Sequence, residues 1–342
     1  MPRGLIRTSG RYLLVLLALV LVLGACDRAP AADESGEALP EPLKIALMLP
    51  GSIDDGGWNE SAHRGLQELQ SDQGFETTVV QSVQWSEAQS VLSDLVVQDY
   101  DLIFGHGIEF ADAFLHLAPE HPDTWFVLTG VSVQQEPNVA SMDTDHWQQG
   151  YFQGAAAALF TQSGHVGLLS GPAIPPLEEH RQGFSAGVRH IEATADKNVT
   201  LHWASVAQWD DLVGAERQVR EMMTQGVDVI GANANEASEA VHRTVGEAGM
   251  RSIHSQALNF DGGPGVLGAS ASNLARAVSW MAEQAALGEL KPETYLLGAR
   301  EGIVVFALNP DADPALDSEA ARQMMELFEQ VVSGDLNLRE HD

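Results

Sequence analysis

The 342-residue sequence carries 48 acidic and 18 basic side chains, a formal charge of -30, with 44% hydrophobic positions and a single cysteine. The hydrophobic fraction excludes wholesale disorder, and the length suffices for two or three packed units. Charge this negative repels phosphates and argues against nucleic acid as a partner; one cysteine excludes a disulfide scaffold and a cysteine-rich metal site. Lysine is confined to Lys44, Lys197 and Lys291, a depletion that suits a surface kept hydrated in high salt, or simply an acidic secreted protein.

The chain opens with Arg3, Arg7 and Arg11 ahead of an unbroken apolar run from Leu13 to Leu23, which ends in Gly24-Ala25-Cys26. A basic start, a short apolar run and small residues predict a secretory signal over residues 1–25. The run is shorter than the ~20 apolar residues a membrane span requires. Leu23-Gly24-Ala25-Cys26 resembles the bacterial lipobox, which implies acylation of Cys26, the chain's sole cysteine. Asp27 resembles the signal that keeps such lipoproteins on the inner membrane, so the expected location is the outer, periplasmic face of the cytoplasmic membrane. Residues 26–42, rich in Ala, Pro, Glu and Asp, read as a lipidated tether with little to bury.

From Lys44 onward, short apolar runs alternate with stretches of helical period. Strands are predicted at Ile45–Leu49, Thr78–Val80, Asp101–Phe104 and Thr124–Leu128, with helices near Glu87–Gln98 and from Phe110. After a Pro137-Asn138 turn the rhythm restarts with a helix at Trp147–Phe160 and a strand at His165–Leu169. A helix at Leu177–His190, a strand at Val199–Trp203, a helix at Leu212–Thr224 and a strand at Val227–Gly231 follow. A helix at Glu236–Glu247 and a strand at Arg251–Ser255 continue the series. This alternation predicts two α/β lobes, each a parallel sheet covered on both faces. Ligands of such sheets sit beyond the carboxyl ends of the strands. That directs attention to the loops Pro50–Asn59, Gly105–Phe110, Ser170–Pro175, Ala204–Asp211 and Ala232–Glu236.

Several short motifs do not survive their context. Gly183-Phe184-Ser185-Ala186-Gly187 matches G-x-S-x-G, but it falls inside a helical stretch rather than on a strand-to-helix turn. Gly263-Pro264-Gly265-Val266-Leu267-Gly268 matches a dinucleotide fingerprint, yet it precedes an apolar strand, and its proline removes a donor. The 12 histidines show no metal-ligand spacing, and Asp143-Thr144-Asp145 reads as a turn capping the Trp147 helix. No cofactor or metal is expected.

Ile53-Asp54-Asp55-Gly56-Gly57-Trp58-Asn59 resembles the signature of the basic membrane protein family, purine-nucleoside-binding lipoproteins of ABC importers. Asp101–Gly107 with Phe110–Ala113, Asn138–Ala158, Gly171–Gly187 and Thr294–Gly302 resemble further family blocks in the same order. The likeness runs from Lys44 to about Pro310. It implies a hinged, two-lobed type I periplasmic-binding-protein fold, with crossings near Val139–Asp143, Ile253–Gln256 and Glu293–Leu297. The lobes expected from it are 43–142 with 256–294, and 143–255 with 295–342. The implied partners are a small-molecule ligand, an ABC permease and its ATPase. The implied activity is binding, not catalysis.

Trp58 on one lobe and Trp209 on the other would sandwich a planar base, although Trp209 also fits as a core aromatic. Asn59 offers a donor and an acceptor to a purine edge. Asn233 and Asn235 are candidates for ribose hydroxyls or base nitrogens, or for ordinary capping; Asp54 and Asp112 are weaker candidates. Gly107 and Gly171 would let backbone approach the ligand. Leu49-Pro50, Gln256 and Asn259 stand where the family commonly has aspartates. That departure leaves a free nucleobase, another flat polar ligand or a ligand-sensing regulatory lipoprotein as alternatives. A hydrolase using Ser185 or the Asp54-Asp55 pair is a third class.

Overall fold

The computed structural model describes residues 42–55, 58–255, 260, 263, 265–312 and 319–340. The expected signal, Cys26 and nearly all of the tether lie outside the described residues, as do Gly56-Gly57, Gln256 and Asn259. Among the described residues no helix is long and apolar enough to cross a membrane.

The first lobe is built from β1 (Lys44–Met48), α1 (Trp58–Gln73), β2 (Glu76–Val80), α2 (Ala88–Val96), β3 (Leu102–His106), α3 (Ala111–Leu117), β4 (Trp125–Thr129) and β5 (Val139–Thr144). The second contains α4 (His146–Phe160), β6 (His165–Ser170), α5 (Pro175–Ala195), β7 (Thr200–Ser205), α6 (Leu212–Thr224), β8 (Val229–Asn233), α7 (Ala237–Glu247), β9 (Arg251–His254) and β10 (Val266–Ser272). The chain then returns for α8 (Leu274–Ala286) and β11 (Thr294–Leu297), and ends with β12 (Val304–Leu308) and α9 (Glu319–Ser333) in the second lobe. Each sheet has six strands, in the orders β11-β5-β4-β3-β1-β2 and β12-β10-β9-β8-β6-β7. The central strands β3 and β8 are buried along their whole length, as strands covered by helices on both faces must be. The edge strands β2 and β7 are partly exposed.

Three features differ from the expectation. The second crossing falls at Asn273, not near Gln256, because β10 pairs in parallel with β9 and stays in the second sheet. The third follows Leu297, because β11 pairs with β5. The lobes are therefore 43–145 with 273–297, and 146–272 with 298–340. Finally, β12 runs antiparallel to β10, so the second sheet is mixed.

The crossings are bonded to one another. Asp145 caps α4 by accepting from the Gln148 amide at 2.9 Å, and its own amide donates to the Leu297 carbonyl at 2.9 Å. The Gln148 side chain accepts from the Ala299 amide, while the Gln149 carboxamide donates to the carbonyls of Ser255 and Ser270. The Asn273 amide donates to the Ile303 carbonyl at 2.7 Å, and its side chain caps α8.

The second lobe is organised around α4, buried from Trp147 to Phe160 except at Gln148. Its contact with α5 is backbone on backbone. A Cβ at Gly150 or Gly154 would overlap the carbonyls of His180 or Phe184, and one at Gly183 or Gly187 those of Trp147 or Tyr151. Ser185 therefore lies mid-helix in α5, with its hydroxyl accepting from Arg189 at 2.9 Å. The G-x-S-x-G spacing is a helix-packing seam.

Gly154→Val should cost at least ~3 kcal/mol, since the methyl groups have no space and the obstacle is backbone. Gly246→Ala, where an added Cβ meets nothing within 4 Å, should gain about 0.4–1 kcal/mol. Urea unfolding of both variants against the wild type checks the pair.

Candidate functional site

The carboxyl ends of β1, β3 and β4 converge on Trp58. Asp55 starts α1: its carboxylate accepts from the backbone amides of Asn59 and Glu60, each at 3.0 Å. A carboxylate here satisfies amides that have no partner within the helix. Asn59 is buried, with its carboxamide donating to Asp55 at 2.7 Å and accepting from the Gly51 amide at 3.4 Å. Its side chain clamps the loop through these two bonds. Asp54 is exposed in the turn, with its amide donating to Ser52 Oγ at 3.3 Å.

Trp58 lies on His106, with ring centroids 3.6 Å apart, and keeps 44% of its surface exposed. Gly130 and Gly107 make room for its edge, since added Cβ atoms would lie 3.3 and 3.0 Å from indole carbons. Gly107 also needs its glycine for a φ of 116°. His106 is fully buried between two acceptor-capable groups: Nε2 is 3.2 Å from the Trp58 carbonyl and Nδ1 2.5 Å from Thr129 Oγ1. The carbonyl only accepts, so Nε2 carries the hydrogen and Nδ1 accepts from the threonine hydroxyl. Burial pushes the imidazole pKa down to about 4, against the opposing pull of the Trp58 carbonyl and Asp55. His106 is thus a neutral platform under Trp58.

The second lobe presents a matching arrangement. Gly171, after β6, leaves the space that the Trp209 ring fills: a Cβ there would overlap it, with Cε3 at 2.8 Å. Trp209 is half-buried, and its carbonyl accepts from Ala237 at the start of α7. Asn233, the last residue of β8, accepts from the Gly171 amide through its backbone carbonyl at 2.8 Å. The residue is 7% exposed, and its side chain has no hydrogen-bond partner among the described residues. Asn235 is exposed with a left-handed φ of 46°. Asp112 is exposed on α3, apart from these contacts.

The structure thus gathers Trp58 with Gly107, and Trp209 with Gly171 and Asn233. Sequence reasoning missed His106, Thr129 and the capping role of Asp55. The signal available was His106 itself, set between Gly105 and Gly107 at a strand end. Two other hollows hold none of these residues. One, about 250 Å³, is lined by Tyr100, His121 and Thr124 at the opposite end of the first sheet; the other, about 400 Å³, by Trp147, Arg181, Ser185 and Arg189. Neither lies at the strand ends that carry the stacked Trp58–His106 pair.

The profile of the ABC transporter substrate-binding protein PnrA-like family matches residues 43–339. This chain belongs to that family. Among PnrA-like relatives, the transcriptional activator protein med of Bacillus subtilis is 22% identical over 92% of this chain and 95% of its own length. Basic membrane protein A of Borreliella burgdorferi is 25% identical over 64% of this chain, and a CD4+ T-cell-stimulating antigen of Listeria innocua 27% over 66%. Those two alignments span 62% and 64% of the relatives' own lengths. Solved structures carry the same fold at low identity. A transcriptional activator of the comK gene from Bacillus halodurans superposes with TM-score 0.70 and 22% identity, covering 86% of this chain and 99% of the other. An ABC transporter solute-binding protein from Conexibacter woesei gives 0.66 and 20%, over 86% and 98%. The fold of this chain is therefore the type I solute-binding architecture, two α/β lobes with flanking helices.

His106 has a pH consequence. A folded pKa of about 4 lies below the ordinary 6.5, so the unfolded chain takes up this proton first as pH falls. Stability from this site is complete above pH 6.5, falls between pH 6.5 and 4, and loses roughly 3 kcal/mol in all. His180 and His242, both held near 3 by burial, act in the same direction. Chemical denaturation from pH 7 to 4 should show a shallower loss for His106→Phe than for the wild type.

Proposed function

We propose that this protein is a membrane-tethered solute-binding component of an ABC importer, holding a purine nucleoside between Trp58 and Trp209. The observation that carries the reading is Asn233: a residue 7% exposed at the end of β8, beside the Trp209–Gly171 contact, whose carboxamide has no hydrogen-bond partner among the described residues and meets solvent. Its donor and acceptor are open to a bound solute. Trp58 supports the same reading, since its indole is propped by a neutral ring and nearly half of it is open. The family supplies the coarser part, a small-molecule ligand and a permease that receives it. Cys26 would anchor the chain at the periplasmic face of the cytoplasmic membrane through its acyl chains. The chain binds and releases its ligand unchanged: Ser185 is a helix-packing position and Asp55 a helix cap.

A second reading is favoured by the Bacillus relatives named as transcriptional activators. In it the same closure reports ligand to a regulatory partner instead of delivering it. The chain's net charge of -30 places direct contact with DNA outside this reading.

The deciding experiment is mass spectrometry of small molecules released by denaturing the purified domain. Titration of nucleosides and free bases onto stripped protein, in low and high salt, completes it. A purine nucleoside that co-purifies and rebinds supports the importer reading. A folded domain that binds no purine removes it and brings the regulatory reading forward. For a bound nucleoside, Trp58→Ala should weaken affinity by about 1–3 kcal/mol with an unchanged melting temperature; calorimetry showing no change would remove Trp58 from the contact.

A further inference from the structure

Two histidines 37 residues apart in the chain meet at the edge of the second sheet. β6 and β7 pair in parallel, with His165 opposite Thr200 and Gly167 opposite His202. His165 and His202 are therefore diagonal neighbours on one face of the sheet, and Gly167 puts no side chain between them. His165 Nδ1 lies 3.0 Å from His202 Nε2. On its other side, His202 Nδ1 is 2.7 Å from Oε1 of Gln225, just past the end of α6. That amide oxygen only accepts, so His202 Nδ1 carries the hydrogen and Nε2 keeps a lone pair. In the protein as it stands, His165 donates to that lone pair.

The same arrangement suits a metal ion. A ligating imidazole commonly gives its second ring hydrogen to an oxygen, which fixes the tautomer and leaves the ligating nitrogen bare. Gln225 does this for His202. When the His165 hydrogen moves to Nε2, two lone pairs stand 3.0 Å apart. Metal–nitrogen bonds of about 2.0–2.1 Å span that separation at an angle of roughly 90–95°. This is the cis angle of a tetragonal site, narrower than a tetrahedral one. Nitrogen ligands in tetragonal geometry suit Cu(II) and Ni(II), whereas Mg(II) and Ca(II) take oxygen. Both rings are half-buried, so neither is sealed from water. Gly226, with a φ of 93° that calls for glycine, puts no side chain over the His165 ring; a Cβ there would lie 3.5 Å from Cδ2. The nearby Asp228 is already committed, accepting from the Thr161 hydroxyl and the Gln162 and Ser163 amides.

We propose that His165 and His202 form a two-histidine site for a divalent cation of the copper and nickel class, with water in its remaining positions. The bound ion joins β6 to the edge strand β7 and, through Gln225, to the end of α6. His165 begins β6 and Ser170 ends it, which separates this site from the strand-end loops by about 16 Å of strand. The inference therefore does not depend on the solute reading above. Its residues carry no metal-ligand spacing in the sequence because strand pairing alone brings them together.

The test is calorimetric titration of Cu(II), Ni(II) and Mg(II) onto the purified full chain carrying no histidine tag, with Cu(II) electron paramagnetic resonance alongside. Wild type should hold its tightest Cu(II) at one ion per chain, Ni(II) more weakly and Mg(II) not at all. His165→Gln and His202→Gln should each weaken that Cu(II) by about tenfold or more, and Gln225→Ala by about tenfold through the lost orientation of His202. His116→Gln, an exposed histidine on α3, should leave it unchanged. Nitrogen hyperfine splitting should report two imidazoles in the wild type and one in each ligand variant. Equal Cu(II) affinity in wild type and both ligand variants overturns the proposal. Loss in only one of them leaves a single-histidine contact and overturns the chelate. A wild-type spectrum with fewer than two imidazoles overturns it as well, and that measurement stands whether or not a variant folds. Thermal melts of the metal-free variants confirm that the affinities compare folded proteins.

Discussion

Two adjacent glutamines at the start of α4 hold the three crossings between the lobes in one hydrogen-bonded unit. Gln148 takes the amide of Ala299 in the third crossing, and Gln149 reaches the carbonyls of Ser255 and Ser270 just before the second. The Ser270 hydroxyl returns a bond to the Gln149 carbonyl at 2.7 Å. Each bond adds only about 0.5–1.5 kcal/mol net, but an unmade partner in this buried place would cost more. Their main consequence is geometric. The bonds tie the crossings to one helix terminus, so they cannot slide independently of one another. Arg339 adds a strap from the far end of the chain, donating to Asp145 at 2.8 Å and lying over the Trp147 ring.

Charge is distributed so that it does not interfere with this arrangement. Arginine is largely paired with glutamate along helix surfaces, as in Arg220 with Glu216, Arg276 with Glu283 and Arg322 with Glu319 and Glu326. Such exposed pairs contribute little to stability. The lobes are held by apolar packing: Phe104, Phe110, Phe114 and Phe126 on one side, Phe152 and Phe184 on the other. The acid excess remains at the surface and in the strand-end loops, where salt screens it. Even His180, fully buried with both ring nitrogens unpartnered, adds no charge, because desolvation keeps it neutral at ordinary pH.

The alternation of strands and helices was legible because each element carries its period locally. The helix Leu212–Thr224 begins and ends where its pattern does, since Asp211 caps it and the chain turns at Gln225-Gly226. Strand direction and lobe membership have no such local mark. The family resemblance implied a crossing near Ile253–Gln256, yet β10 returns to the same sheet; nothing in β12 announces that it runs antiparallel. The site divides the same way. Trp58, Trp209, Gly171 and Asn233 were legible as unusual residues in loops after strands. The bond of Asn59 to the Asp55 carboxylate four residues earlier had no mark in the sequence pattern. The role of His106 arises only when β3 and β4 bring Thr129, Gly130 and the α1 terminus together.

Transport and sensing place the same physical demand on this chain. A ligand that contacts both lobes favours the closed form by the difference between its affinities for the two states, and by no more. Trp58 belongs to one lobe, Trp209 and Asn233 to the other, so a planar solute held between them, as proposed, would realise its full contact energy only on closure. The bonded crossings confine that energy to one motion. A solute held by a single lobe would be bound without being reported, whatever its affinity. What separates an importer component from a sensor is then the partner that reads the outer surface of the closed form, while the pocket obeys the same two-lobe requirement in either case.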